Sequence, residues 1–137
     1  MRIVLDTNVI IAGFFWQGSA KTIFAAIEDD EFELCLTRNI LDEVKRVLQY
    51  PKFERHIRRA GIGPEKLLDG LLAHSLMFED VELATVVAED PSDDMFINCA
   101  LLSGVKRIIS GDKHLLRIGS FMGIRIVTPA TFVRERR

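Results

Sequence analysis

Apolar residues recur along the chain at the two spacings that predict strands and helices. Short apolar runs predict strands over residues 2–6, 32–36, 81–87, 105–109 and 124–127. Helical spacing predicts helices over residues 19–29, 37–49, 53–78 with a break at 61–64, 93–103 and 112–117, and a last short helix that begins at Thr128-Pro129. Strands that alternate with helices are typical of an α/β fold.

Polar residues and prolines predict where some of these helices begin and end. Ser19 is expected to cap the helix over residues 19–29, and either Thr37 or Asn39 the next one, because their side-chain oxygens can accept hydrogen bonds from free backbone N–H groups. Pro51 is expected to stop that helix because proline cannot continue its hydrogen bonding.

The alternation predicts a three-layer α/β/α architecture, in which helices cover both faces of a central, mostly parallel sheet. Right-handed crossovers place the C-terminal ends of parallel strands at one edge of the sheet. Ligands of open α/β sheets bind along that edge. No repeat or linker divides the sequence, so residues 1–137 are expected to form a single domain.

Composition indicates a chain that folds without disulfide bonds. Of the 137 residues, 48% are hydrophobic, which is enough for a buried core. Cys35 and Cys99 lie far from any metal-binding or redox spacing and are expected to be buried thiols in a reducing compartment. The sequence shows no signal-peptide pattern and no apolar run long enough to span a bilayer. We therefore expect a cytoplasmic location.

The formal net charge is −2, yet the cations are concentrated in two segments. The first contains Lys52, Arg55, Arg58 and Arg59, and the second contains Arg134, Arg136 and Arg137. Such runs are either solvated surfaces or contacts for substrate phosphates.

Acidic residues follow the predicted strands at the ligand-binding edge of the sheet. Asp6 ends the first strand, Asp112 follows the strand over residues 105–109, and Asp93 and Asp94 open a helix. Each acid on its own could be only a helix cap or a turn residue. Because they come from distant parts of the chain and converge on one edge, they indicate a shared site.

The helix over residues 37–49 offers a fourth acid. Its apolar stripe consists of Ile40, Leu41, Val44, Val47 and Leu48. Asp42 points away from this stripe, whereas Glu43 lies at its edge and can either stay at the surface or reach inward beneath the sheet edge. Asn98, one turn after Asp94, is either a buried amide bonded to backbone or a partner that fixes the rotamer of Asp94.

Clustered carboxylates repel one another, and a divalent cation relieves that repulsion. Mg²⁺ prefers oxygen ligands and keeps positions open for phosphate oxygens. Such a metal also lowers the pKa of bound water and stabilises charge on a leaving oxygen. The sequence offers no Ser–His–Asp or Cys–His pairing, so metal-activated water is the expected nucleophile. His56, His74 and His114 share no ligand spacing and are expected to be surface or helix residues.

At these residues the sequence resembles the PIN domain, a family of metal-dependent nucleases that includes the VapC-type toxins of toxin–antitoxin pairs. The matching pieces are Ile3-Val-Leu-Asp6-Thr-Asn-Val9, Glu43 in Leu41-Asp-Glu-Val-Lys45, Asp90-Pro-Ser-Asp-Asp94 with Met95-Phe-Ile-Asn-Cys-Ala100, and Ile109-Ser-Gly-Asp112. In order and spacing they span nearly the whole chain. The long basic segment over residues 52–87 is more similar to the branch of toxin-type PIN proteins with a D-P-x-D-D motif than to leaner VapC toxins.

The resemblance implies a PIN-like sheet whose edge carries the catalytic acids Asp6, Glu43, Asp94 and Asp112. Of these, Asp6, Asp94 and Asp112 would hold Mg²⁺ or Mn²⁺. Asp94 is preferred over its neighbour Asp93, although the two could exchange roles. The implied supporting residues are Asn98, Ser110, Asp90 and Asp93, with the Ser110 hydroxyl supporting Asp6. Cleavage would leave 5′-phosphate and 3′-hydroxyl ends.

We therefore expect a metal-dependent endoribonuclease whose RNA substrate contacts Lys52, Arg55, Arg58 and Arg59. The resemblance is compatible with a small antitoxin partner. Helices rich in leucine and isoleucine around residues 40–78 are compatible with a homodimer. The main alternative is a PIN-like module that binds RNA or protein without cutting it. A haloacid-dehalogenase site would need a second acid where Asn8 stands, and dinucleotide binding would need a glycine-rich turn.

Overall fold

The computed structural model describes residues 1–84 and 91–136. Its strands are β1 (Arg2–Leu5), β2 (Glu33–Thr37), β3 (Ser75–Phe78), β4 (Arg107–Ile109), β5 (Ser120–Phe121) and β6 (Ile124–Val127). Its helices are α1 (Thr7–Phe15), α2 (Ser19–Glu28), α3 (Arg38–Leu48), α4 (Glu54–Ala60), α5 (Pro64–Ala73), α6 (Asp94–Ser103), α7 (Lys113–Ile118) and α8 (Pro129–Glu135). Short 3₁₀ turns cover Pro51–Phe53 and Pro91–Asp93.

The strands form one sheet in the order β3-β2-β1-β4-β6-β5. All neighbouring pairs are parallel except β5 and β6, which form an antiparallel pair at one edge. Helices flank this sheet, which confirms the predicted α/β fold. β1 and β4 lie side by side at the centre, so the residues that follow both strands meet at the same edge.

The central strands are buried because the apolar runs seen in the sequence face helices on both sides. Ile3, Val4 and Leu5 of β1 and Ile108 and Ile109 of β4 are inaccessible to solvent. Strands buried on both faces read as continuous apolar runs rather than as alternating patterns. This core fixes the positions of the strand ends that carry the acids.

Threonine side chains cap two of the helices at the predicted places. The Thr37 hydroxyl accepts a hydrogen bond from the Ile40 N–H and begins α3, while Thr128 begins α8 in the same way. Before α2 the cap position is Gly18 and not Ser19, which is the first residue of the helix. Gly18 has a φ of 132°, a conformation that glycine adopts without steric cost.

The segment between α5 and α6 differs from the prediction. Residues 75–78, predicted to continue a helix, form β3 and pair in parallel with β2. A strand was predicted over residues 81–87, but residues 81–84 contain none, and residues 85–87 lie outside the described part of the chain. A short apolar run fits either element, and the open edge of β2 selects the strand. The two-residue β5 also escaped prediction.

Across the described residues, no single helix is long and apolar enough to cross a membrane. Only α1 and α2 taken together reach the required length and composition, and they are bent by 86° relative to each other.

Candidate metal centre

Asp6 stands at the centre of the site, at the junction between β1 and α1. Its backbone N–H bonds to the Ile109 carbonyl at 3.0 Å, which extends the pairing of β1 with β4 by one residue. Its side chain then caps α1, because Oδ1 accepts a hydrogen bond from the Val9 N–H at 2.8 Å. The carboxyl group is therefore held by a strand end and a helix start at once, and it is only 3% exposed.

The loop after β4 supplies further support and a second acid. The buried Ser110 hydroxyl donates a hydrogen bond to Asp6 Oδ2, and the Gly111 N–H donates to the same oxygen at 3.2 Å. The Asp112 N–H donates to Ser110 Oγ at 2.9 Å. Asp112 also caps α7 by accepting from the His114 N–H at 2.7 Å. Ser110 thus connects the two aspartates, in the contact with Asp6 that the family resemblance implies.

Glu43 reaches the site from α3. Thr7, the first residue of α1, donates a hydrogen bond from its hydroxyl to Glu43 Oε2. The Arg46 guanidinium lies 3.4 Å from the other carboxylate oxygen. Asp42, one residue earlier, is exposed and pairs with Arg38 at 3.2 Å. Of these two neighbouring acids, only Glu43 turns inward, as its place at the edge of the apolar stripe suggested.

The fourth acid at this place is Asp93, which ends the 3₁₀ turn before α6. A cavity of about 160 Å³ is lined by Asp6, Thr7, Asn8, Glu43, Val47, Ser92, Asp93, Phe96 and Asp112. Asp93 is 7% exposed and faces this cavity together with the other three acids. Four carboxylates from distant parts of the chain therefore share one small space.

Asp94 lies elsewhere. It lines a separate cleft with Asp80, Glu82, Asn98 and others at the start of α6. Successive helical residues point about 100° apart, which is why these two adjacent aspartates line different cavities. The motif led us to prefer Asp94 over Asp93 as the metal ligand, but in the structure it is Asp93 that lines the cavity with the other three acids.

Asn98, a predicted supporting residue, does not line this cavity. The Asn98 side-chain oxygen accepts hydrogen bonds from the backbone N–H groups of Leu83 and Ala84, at 2.9 and 2.7 Å. Asn98 is therefore a partly buried amide that bonds to the backbone of the segment before residue 85. Asp90 lies outside the described residues.

The donor set fits a hard divalent cation. Asp93, Asp112 and His114 each offer one ligand atom, and these three atoms lie within 4.8 Å of one another. A single ion with coordination distances of about 2.0–2.6 Å can span such a separation. Asp6 accepts three hydrogen bonds, which leaves about one of the four lone-pair positions of its carboxylate for an ion or for water. A set dominated by carboxylate oxygens favours Mg²⁺ or Mn²⁺.

Electrostatics of the metal-free site point to the same conclusion. Burial raises the pKa of the Asp6 carboxyl above its usual value, the hydrogen bonds from Ser110, Val9 and Gly111 act against this rise, and the nearby Asp112 adds to it. Desolvation outweighs three hydrogen bonds, so the ionised form of Asp6 lacks sufficient compensating charge from the protein. A bound cation would supply that charge.

The basic segment does not line the acidic cavity. Lys52 belongs to the 3₁₀ turn and Arg55, Arg58 and Arg59 belong to α4, all with exposed side chains. Arg58 pairs with Glu54 at 3.3 Å. At the other end of the chain, Arg136 pairs with Glu31 at 2.6 Å. Arg137 is not among the described residues.

A comparison with models of protein families identifies the family of this chain. The model of the PIN domain matches residues 2–114. The chain belongs to the PIN domain family. Proteins of this family are generally metal-dependent nucleases, so the acidic cavity of this PIN domain is where a catalytic metal would be sought.

The fold of this PIN domain is similar to one in the crystal structure of VapBC2 from Rickettsia felis bound to a DNA fragment from their promoter. The two chains superpose with a TM-score of 0.59 and are 10% identical, and the match covers 92% of this chain and 97% of the other. At that identity the similarity concerns the fold. No curated protein matches the sequence significantly.

Two residues of the site escaped the sequence analysis. Thr7 could have been inferred from its place directly after Asp6, since the first residue of a helix that starts at a strand end lies at the same edge of the sheet. His114 was expected to be a surface or helix residue because no second histidine or cysteine stands at ligand spacing from it. Its partners Asp93 and Asp112 are acids, and only the fold brings Asp93 near.

Proposed function

We propose that this PIN domain is a metal-dependent endoribonuclease whose acidic site consists of Asp6, Glu43, Asp93 and Asp112. The observation that carries the proposal is the convergence of these four carboxylates on one cavity of about 160 Å³. Helix caps alone would explain Asp6 and Asp112. They would not explain why Glu43 and Asp93 turn towards the same space.

Asp93 and Asp112 would hold Mg²⁺ or Mn²⁺, with Asp6 as a further ligand directly or through water and His114 within reach. When bound, the ion would lower the pKa of a coordinated water and stabilise charge on the phosphate and the leaving 3′ oxygen. Ser110 and the Gly111 N–H fix the rotamer of Asp6 towards the cavity. Our assignment replaces Asp94 with Asp93 in the set of metal ligands.

Glu43 would act as the general base. Its two oxygens are held by the Thr7 hydroxyl on one side and the Arg46 guanidinium on the other. In this orientation the carboxylate can accept a proton from a water molecule in the cavity as that water attacks phosphorus. In-line attack with departure of the 3′ oxygen leaves a 5′-phosphate and a 3′-hydroxyl.

A role as the toxin of a toxin–antitoxin pair is part of the proposal. It is supported by the PIN domain match and by the similarity of the fold to a VapBC2 structure. We expect a small antitoxin protein as partner, in the cytoplasm, and a homodimer through the helices around residues 40–78. Copurification of a small protein with the chain from its native cell would test this part separately.

The nuclease proposal is tested by incubating the protein with a pool of structured and single-stranded RNAs and with DNA of the same sequences. Cleavage is expected with Mn²⁺ and is expected to stop with chelator. Glu43→Gln should lower the rate by at least about a hundredfold, while Asp42→Asn, its exposed neighbour, should retain it. RNA binding without metal-dependent cleavage would identify the alternative, a non-catalytic PIN-like module. DNA cleavage alone would overturn the choice of RNA.

A further inference from the structure

The C-terminal end of α1 carries a cluster of aromatic rings outside the acidic cavity. Trp16, the residue that follows α1, makes edge-to-face contacts with Phe15, Phe53 and His56 at centroid distances of 5.9, 6.2 and 5.0 Å. Phe15 stacks on Phe53 at 6.0 Å and on His56 at 5.6 Å. The rings therefore support one another from α1, the 3₁₀ turn and α4.

Part of this cluster is open to solvent. Trp16 is 42% exposed although its neighbour Phe53 is buried. Beside it lies an open cavity of about 230 Å³, lined by Phe14, Phe15, Trp16, His56, Arg59 and Ala60. A large aromatic ring held in place by other rings and left partly exposed is preorganised for stacking, because little conformational freedom remains to be lost.

The positive charges around the cluster favour a polyanionic ligand over a protein partner. Arg59 lines the cavity, and the Lys52 ammonium lies 5.1 Å from the centroid of the Phe53 ring. Among the described residues, neither Arg55 nor Arg59 has an acidic partner within ion-pair distance. Aromatic rings interleaved with available cations are the combination by which proteins hold single-stranded nucleic acid, with stacking for bases and cations for phosphates.

Helix α1 connects the aromatic cluster with the acidic cavity. α1 begins at Thr7, directly after Asp6, and ends at Phe15. At 1.5 Å per residue, the two ends lie roughly 12 Å apart, a span of a few nucleotides. A second connection runs along α3, where Arg46 contacts both Glu43 at 3.4 Å and the Tyr50 hydroxyl at 3.0 Å, one residue before the 3₁₀ turn.

We propose that Trp16 and His56, with Arg59, form a nucleobase-stacking subsite for single-stranded RNA, a few nucleotides from the phosphate that is cut. This inference rests on the proposed nuclease function, since the strand held here would be the substrate. It assigns a binding role to the end of α1 and explains why Trp16 remains exposed beside the buried Phe53 ring.

The chain contains a single tryptophan, so its fluorescence reports on this subsite alone. The metal-free protein is titrated in chelator with single-stranded 12-nucleotide RNAs of mixed sequence, and with the same RNAs carrying one abasic position. Stacking predicts quenching that saturates with binding and is lost when the abasic position falls at one place along the strand. Duplex RNA of the same length should quench much less, because its bases are already paired.

Variants distinguish base stacking from nonspecific apolar contact. Trp16→Leu removes the π-face and keeps an apolar side chain, and it should weaken binding by about 5- to 150-fold, as loss of one stacked base does. Trp16→Phe should recover most of the affinity. Arg59→Ala should weaken binding further and reduce its salt dependence. Lys106→Ala, which removes an exposed cation elsewhere, is the matched control and should leave the affinity unchanged. Circular dichroism of each variant verifies folding.

The outcomes distinguish this inference from the nuclease proposal. If the nuclease proposal alone fails, no RNA is cut, yet quenching by single-stranded RNA and its loss in Trp16→Leu remain. If the stacking subsite alone fails, metal-dependent cleavage persists with the same KM in Trp16→Leu, and RNA does not quench the tryptophan. Tryptophan quenching by a copurifying protein with no response to RNA would assign the cluster to a protein partner and overturn the inference.

Discussion

The Ser110 hydroxyl donates a hydrogen bond to the carboxylate of Asp6, although the two residues are 104 positions apart in the chain. The pairing of β1 with β4 makes this contact, since it brings the ends of both strands to the same point. Ser110 also accepts the Asp112 N–H at 2.9 Å. One buried hydroxyl therefore fixes the position of two of the four acids.

Replacement of Ser110 by alanine should lower stability and metal affinity together. The change leaves the buried Asp6 carboxylate without one donor and the partly buried Asp112 N–H without its acceptor. We expect a loss of about 1–3 kcal/mol in the free energy of unfolding, measured by urea denaturation in chelator. Ser120→Ala, at an exposed position, should change it by less than about 0.5 kcal/mol. Equal effects would contradict the role given to Ser110.

Thr7 should act on catalysis through Glu43 and not through substrate binding. Thr7→Val keeps the shape of the side chain and removes the hydroxyl that holds Glu43 Oε2. On the proposed function, kcat for RNA cleavage should fall by about 10- to 100-fold, as for other groups that orient a site residue, with KM nearly unchanged. Thr7→Ser should restore kcat. A rise in KM with constant kcat would show instead that Thr7 contacts the substrate.

The buried Asp6 carboxyl makes the stability of the metal-free protein depend on pH. Burial raises its pKa in the folded state above the unfolded value of 3.8, so the folded state binds the proton more tightly. The contribution of Asp6 to stability is therefore complete below pH 3.8 and is lost as the pH rises through the folded-state pKa. The Asp6→Asn side chain does not ionise, so the variant does not lose stability in this way as the pH rises.

In chelator, the difference in free energy of unfolding between Asp6→Asn and the parent protein should therefore shift in favour of the variant as the pH rises from 4 towards neutrality. Urea denaturation at a series of pH values measures it. A constant difference, or a shift in the opposite direction, would show that the carboxyl does not titrate with a raised pKa. Added Mn²⁺ should cancel the advantage of Asp6→Asn at neutral pH, since the ion compensates the charge of the parent carboxylate.

Two glycines within helices should respond oppositely to alanine. A Cβ at Gly13 in α1 would lie 2.5 Å from Cε1 of the Phe24 ring, so the ring or the helix α2 that carries it would have to shift. Gly13→Ala should cost about 1–3 kcal/mol of stability. Gly70 in α5 has nothing within 4 Å of such an atom, and Gly70→Ala should gain about 0.5–1 kcal/mol from helix propensity. Thermal unfolding of both variants measures the contrast.

The mostly parallel sheet, and with it the edge that carries the acids, could be predicted from sequence. Continuous apolar runs identify β1, β4 and β6, and the alternation with helices makes these strands parallel, so Asp6 and Asp112 are expected at the same edge. The inward turn of Glu43 follows from its place at the edge of an apolar stripe. These features depend on local pattern and on general rules of chain topology.

The choice between Asp93 and Asp94 depended on information that the pattern lacks. Both acids stand at the start of α6, and a shift of one residue turns a side chain by about 100°. Whether the helix begins with a 3₁₀ turn over Pro91–Asp93 is decided by packing against the rest of the fold. For the same reason, β3 was read as the end of a helix: its apolar run fits both elements, and only the open edge of β2 selects the strand.

The affinity of the metal-free protein for Mn²⁺ tests the central claim most directly, by isothermal titration calorimetry of the parent, Asp93→Asn and Asp94→Asn. The variants differ in which of two adjacent carboxylates is neutralised, so their unfolded chains and net charges are equivalent. If Asp93 belongs to the metal site with Asp6, Glu43 and Asp112, Asp93→Asn should weaken binding by more than about tenfold, or 1.4 kcal/mol, while Asp94→Asn stays close to the parent. Unchanged affinity in Asp93→Asn, or a larger loss in Asp94→Asn, would contradict the account.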